Sequence, residues 1–162
     1  MLSLLLALAA QVTPVQPMRK GTGLPPSADS AADTQAVLAT VQRLLSTLET
    51  NDAAALLAVT RPEGGATVAA ELPDGTRRVR RRSWAEFAAQ LKPGPDRFQE
   101  RIAEPAVEVD GDIAMVWAPY TLRKNGVVDH CGFDHFDLVQ EGGQWRVLNV
   151  TWSQRTTGCE AR

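Results

Sequence analysis

Two hydrophobic rhythms divide the chain into a helical first part and a stranded second part. Val37, Val41, Leu44, Leu45 and Leu48 recur at i, i+4, i+7, i+8 and i+11, one apolar stripe of a helix over about 31–49. Ser30 precedes Asp33 by three positions, the spacing of a capping box at that helix's start. Asn51-Asp52 breaks the stripe, and Asp52 can cap a second short helix over 53–59. Arg61-Pro62-Glu63-Gly64-Gly65 ends the helical pair. Two weak strands follow, 66–72 and 77–82, around the turn Pro73-Asp74-Gly75-Thr76. Ser83 and Glu86 form a second capping box, opening a helix with the apolar face Trp84, Phe87, Ala88 and Leu91. Lys92-Pro93-Gly94-Pro95 stops it.

Beyond this point the period falls to two. Residues 97–109 read as extended and are interrupted by Pro105, which suits a bend or a sheet edge. Asp110-Gly111-Asp112 is a turn before a strand over 113–123. Asn125-Gly126 is a strong hairpin signal leading into 127–140, and Gly142-Gly143 leads into the last strand, 144–154. Helices followed by a long antiparallel meander make an α+β plan.

Strand pairing can be read one step further. A two-residue Asn125-Gly126 loop sets Lys124 against Val127, and so Met115 against Phe136, Trp117 against Asp134 and Thr121 against His130. Trp117, His130 and Asp134 then share a face with Met115 and Phe136 deeper along it. A three-residue Gly142-Gly143-Gln144 loop pairs Leu138 with Leu148, Phe136 with Val150 and Asp134 with Trp152, and is preferred to a two-residue loop, which sets Asn149 beside Phe136, because it keeps the apolar face continuous. A candidate pocket follows, walled by Met115, Trp117, Phe136 and Trp152. The opposite face carries Val116, Ala118, Tyr120, Cys131, Phe133 and His135.

Length and composition narrow the classes. The 162 residues leave room for one domain over 31–162. A net charge of −2 lacks the basic surplus of a nucleic-acid binder, and no apolar run reaches the length of a membrane span. Residues 1–10, MLSLLLALAA, are a short apolar block ending in an A-x-A pattern, which fits a signal peptide although no Lys or Arg precedes it. The alternative is a disordered cytoplasmic tail. Residues 11–30, with four prolines, read as a flexible linker. The expected location is secreted, periplasmic or cell-envelope, and otherwise cytoplasmic.

The segments LETNDAAALLAV, SWAEFAAQL and VDGDIAMVWAPYTLRKNGVVDHCGFDHFDLVQEGGQWRVLNVTW resemble the nuclear-transport-factor-two-like superfamily, in its SnoaL-like branch, over about 33–159. The resemblance implies a cone: a strongly curved antiparallel sheet wrapped around two to three helices, a cystatin-like roll with a pocket inside. Members include ketosteroid isomerases, polyketide cyclases, dehydratases, epoxide hydrolases and non-catalytic binders. Such a fold does not assign a function. Relatives commonly dimerise through the outer sheet face, and the apolar second face suits that.

Two functions stay open at this stage. One is a small apolar-ligand-binding domain. The other is a cofactor-free lyase, isomerase or cyclase using His130 and Asp134, an acid–base pair whose pKa values burial would draw toward neutrality. At four residues apart on a strand, roughly 13 Å, they need a substrate or cross-strand partner between them. The alternative is structural: His130 on a backbone group and Asp134 on the indole N–H of Trp117 or Trp152. Tyr120, the natural oxyanion donor, falls on the other face. His130 and His135 leave opposite faces, so neither a metal nor a cofactor is expected. Cys131 and Cys159 are the only cysteines and would form a disulfide in an exported chain. The arginines between 77 and 82 suit a solvated edge strand, or an anion-binding surface.

Overall fold

The computed structural model describes residues 30–159, and in it two helices lead into a seven-stranded sheet interrupted by a third helix. The expected signal peptide, all but the last residue of the linker and the Ser30 side chain lie outside the described residues. The helices are α1 (Ser30–Thr50), α2 (Ala53–Val59) and α3 (Trp84–Ala88). The strands are β1 (Thr60–Glu71), β2 (Arg77–Ser83), β3 (Phe98–Ile102), β4 (Ala106–Asp110), β5 (Ile113–Lys124), β6 (Val127–Glu141) and β7 (Gln144–Gln154). Caps explain two of the helix starts. Asp52 accepts from the Ala55 N–H at 2.9 Å, and Ser83 and Glu86 complete the reciprocal capping box.

The sheet runs β2-β1-β7-β6-β5-β3, with β4 also paired to β5. It is curved and unclosed, with helices packed on its inner face. The pairs are antiparallel except β1 with β7, which is parallel. The parallel pairing of β1 with β7 lies outside the expected antiparallel meander, and β1 begins at Thr60, before the expected start at residue 66. Gly64 and Gly65 belong to this strand rather than to a helix-ending loop. A Cβ on Gly64 would lie 1.6 Å from the Leu148 carbonyl oxygen, and one on Gly65 2.2 Å from that of Arg82. Only glycine allows β1 to approach both neighbours so closely.

The α1 stripe lands as the periodicity demands. Val37, Val41, Leu44 and Leu45 are buried and Leu48 packs at the edge of the same cluster, with Leu56, Trp84, Phe136, Leu138 and Val147 as the deepest neighbours. Each such side chain contributes roughly 1.5–3 kcal/mol by leaving water. The third helix is shorter than expected, ending at Ala88, yet Phe87 and Leu91 still reach the core.

Two β-bulges decide which side chains face inward. The Asn125-Gly126 turn forms as expected, with φ of 54° and 83°, and Lys124 pairs with Val127. Arg123 then pairs with Val128 but Leu122 with His130, leaving Asp129 as an extra residue. From there on β5 is shifted by one against the expected register. Ala114, Val116, Ala118, Tyr120 and Leu122 turn inward and are buried, whereas Ile113, Met115 and Trp117 turn outward. On the other side of β6, Gly142 and Gly143 make a two-residue turn, with Glu141 opposite Gln144, so the three-residue loop does not form. Leu138 therefore pairs with Val147, not Leu148. A bulge at Leu148 then restores the expected pairs Phe136 with Val150 and Asp134 with Trp152.

The arginine run forms the edge strand β2. Arg77, Arg78, Arg80 and Arg81 are exposed and Arg82 partly so, and Arg77 meets Glu71 at 3.4 Å. The placement agrees with a charged edge that discourages strand addition.

Candidate functional site

Between the helices and the inner face of β6 and β7 lies a cavity of about 50 Å³. Leu44, Leu45 and Leu48 of α1 form one wall, with Leu56 of α2 and Trp84 and Phe87 beside them. Phe136, Val150 and Trp152 of the sheet form the other. Two carboxyl groups break this apolar lining: Asp134 on β6 and Glu100 on β3. The space suffices for a few waters and falls below the ~300–1,000 Å³ of typical ligand pockets. Leu48, Phe87 and Trp152 are partly buried, so they are the lining side chains best able to yield to a larger guest.

Asp134 is 2% exposed, and its Oδ2 has no hydrogen-bond partner among the described residues. A buried polar atom left unpaired costs about 1–3 kcal/mol, so its retention needs an explanation. Burial pushes the Asp134 carboxyl well above the usual carboxylate range, and the charge and hydrogen bonding of Glu100 push it further. Burial also raises Glu100, while its hydrogen bond with Asp134 pulls it back down. Two carboxyls side by side in an apolar recess share a proton, because both cannot ionise cheaply.

Tyr120 stands near this pair. Its hydroxyl donates to the Ser153 carbonyl at 3.1 Å, and its pKa is raised by burial, then by the charges of Glu100 and Asp134. Arg155 opposes that rise. Tyr120 therefore lies on the inner face with Asp134, correcting the expectation of opposite faces. The Asp129 bulge is the cause.

The other expected site residues separate. His130 is on the inner face by register, but its Nδ1 meets the Asp129 carboxylate at 2.7 Å and its ring packs edge-on to Tyr120 at 5.7 Å. It is not among the cavity's lining residues, and the partner of Asp134 is Glu100. Phe136 and Trp152 line the cavity. Met115 and Trp117 do not: the one-residue shift carries both to the outer face, where Trp117 is 46% exposed and stacks on Phe133 at 5.4 Å. Val116, Ala118 and Tyr120 make the reverse move. Neither the Trp117 nor the Trp152 indole N–H is hydrogen-bonded to Asp134 Oδ2, as the structural alternative required. Cys131 and Cys159 are joined in a disulfide, and the Cys131–Arg155 bridge holds the tail against β6.

Glu100 was missed. In Phe98-Gln99-Glu100-Arg101-Ile102 it occupies the same strand face as Phe98 and Ile102, with Gln99 and Arg101 exposed. A carboxylate at an apolar position of an alternating strand was the available signal.

The paired carboxyls give a pH signature. Asp134 and Glu100 ionise readily in the unfolded chain but resist ionisation in the folded one, so the folded state holds more protons above the ordinary carboxylate range. Their stabilising contribution is fully present below that range and is lost as pH rises through their elevated folded values. The melting temperature is expected to drift down by several degrees over this window, and Asp134→Asn should flatten the drift. Parallel pH profiles for the native protein and the variant would refute the paired-carboxyl account.

The family model described as "Putative lumazine-binding" matches residues 32–153. No curated protein matches the chain. Among solved structures, the chain is similar to a cystatin-like protein of unknown function from Nostoc punctiforme PCC 73102, with 12% identity over 78% of this chain and 94% of the other and a TM-score of 0.62. An NTF2-like protein from Cytophaga hutchinsonii ATCC 33406 shares 13% identity over 75% and 98%, with a TM-score of 0.62. The structure titled "beta subunit of a putative aromatic-ring-hydroxylating dioxygenase", from Novosphingobium aromaticivorans DSM 12444, shares 14% over 78% and 92%, with a TM-score of 0.64. At these identities the likeness concerns the fold.

Proposed function

The chain belongs to the family so described, within the nuclear-transport-factor-two-like superfamily, and we propose that it is a small-ligand-binding domain whose ligand enters the cavity above Asp134. The family description points to small-ligand binding. The observation that carries the assignment to this cavity is the unpartnered, buried Oδ2 of Asp134 among apolar side chains. A largely apolar guest with one polar group would cover the walls and satisfy that oxygen together.

The test is a melting-temperature titration with lumazine and one-ring analogues such as 2-pyridone. At a free ligand concentration 100-fold above Kd the folded state gains about 2.7 kcal/mol, a shift of several degrees. Leu48→Trp, which fills the cavity from the α1 side, should abolish the shift. If the whole panel leaves the native melting temperature unchanged, or if Leu48→Trp shifts as the native protein does, the cavity is not the binding site.

Two features of context belong to the same reading. Export is supported by the Cys131–Cys159 disulfide, since such bonds persist in oxidising compartments. An intact Met1 in a cytoplasmic fraction, read by mass spectrometry, would count against it. Homodimerisation is supported by the outer sheet face, where Ile113 is 61% exposed and Trp117 46%, beside Met115 and Phe133. Light scattering showing only monomer at micromolar concentration would remove it.

A further inference from the structure

The two carboxyls of the cavity do more than mark a polar end. We propose that Glu100 and Asp134 select neutral ligands that present a donor and an acceptor side by side, as an amide, lactam or ureide edge does, and that they reject anions. The inference rests on the reading of this cavity as a ligand site and adds the chemical class of what it takes.

The argument begins with charge. Among the described residues, the acidic pair supplies the only ionisable side chains in the lining, with no Lys, Arg or His there to neutralise an anion. A ligand carboxylate would therefore enter a water-poor recess already holding two like groups, which is strongly unfavourable. The second step concerns hydrogen bonding. One proton is spent between the two carboxyls; a second, held because burial raises both groups, gives an O–H donor beside a carbonyl acceptor. An amide edge offers the complement, C=O to the donor and N–H to the acceptor. Asp134 Oδ2, buried and unpartnered, is the atom such an edge would satisfy. A pure hydrocarbon fills the apolar walls equally well but leaves Oδ2 unpaired, and sites built to hydrogen-bond a ligand discriminate strongly against analogues lacking that group.

Three one-ring probes separate these contributions: benzamide, benzoate and toluene, titrated at pH 7 by ligand-detected NMR and tryptophan fluorescence. In the native protein benzamide should bind at least tenfold more tightly than either of the other two. In Asp134→Leu, toluene should bind at least as well as in the native protein, and the benzamide advantage should vanish. Glu100→Gln, with nearly the same shape at a partly buried position, provides a second readout should Asp134→Leu fail to fold. It should shrink the gap between benzamide and benzoate. Benzoate binding as tightly as benzamide, or an unchanged benzamide preference in both variants, would overturn the inference while leaving toluene binding, and hence the cavity reading, intact. Failure of all three probes to bind removes the cavity reading and the inference with it.

Discussion

Trp84→Ala is expected to lower the unfolding free energy by about 3–5 kcal/mol, the cost of emptying a large buried aromatic site. Trp84 is 1% exposed and sits in the core cluster between the helices and the sheet. It opens α3 immediately after the Ser83 cap, packs with Phe87 in an edge-on pair at 6.1 Å, and lines the cavity beside the α1 leucines. Its indole N–H also holds the Leu148 carbonyl, the group at the β7 bulge that Gly64 leaves room for. Loss of the indole therefore leaves a cavity and an unpaired carbonyl together. Trp84→Phe separates the two, since it keeps most of the packing and drops the donor. About 1–3 kcal/mol is expected for that variant. Denaturant unfolding measures both, and a loss below about 1.5 kcal/mol for Trp84→Ala would show that the bulge and core tolerate its absence.

Removal of the Cys131–Cys159 disulfide is expected to cost about 3–4 kcal/mol on the chain-entropy view, because it closes a loop of 28 residues in sequence separation. The bond ties the segment after β7 to β6, beside the two backbone hydrogen bonds between Cys131 and Arg155. The core cluster lies elsewhere on the sheet, so the native packing should survive while the unfolded chain gains freedom. Cys131→Ser/Cys159→Ser should then lower the denaturation midpoint with unchanged near-ultraviolet circular dichroism. Hydrogen exchange should accelerate first at Cys131 and Arg155. A midpoint within experimental error of the native one would show that the tail is held by its backbone bonds alone.

Much of the architecture was written in local signals. The α1 stripe, the Asp52 and Ser83 caps, the Asn125-Gly126 and Gly142-Gly143 turns and the order of the strands each depend on residues within a few positions of one another. The site was legible only in part. Asp134, Phe136 and Trp152 were placed correctly because β6 and β7 keep the expected register there. Met115 and Trp117 were placed on the wrong face, and Tyr120 with them. The reason is specific: on β5 both faces are apolar, Ile113, Met115 and Trp117 on one and Ala114, Val116 and Tyr120 on the other. Hydrophobic alternation therefore carries no preference between the two registers. Glu100 was passed over because its partner is 34 positions away and on a non-adjacent strand.

The sequence by itself determined the α+β plan, the helix bounds within a few residues, the superfamily and the pairing of the two cysteines. The plan and the helix bounds follow from period, capping chemistry and turn residues, which act over one or two turns of chain; the superfamily came from resemblance, and the cysteine pairing from there being only two. The tertiary structure alone decided which side chains share the cavity. One extra residue at Asp129 reverses the parity of the whole of β5 against β6, and one at Leu148 corrects β7, since side chains alternate with a period of two. That single-residue accommodation moves Trp117 out to the surface and Tyr120 in toward Asp134. Strands β3 and β6 flank β5, and the paired carboxyls of Glu100 and Asp134 exist only as a product of that sheet order.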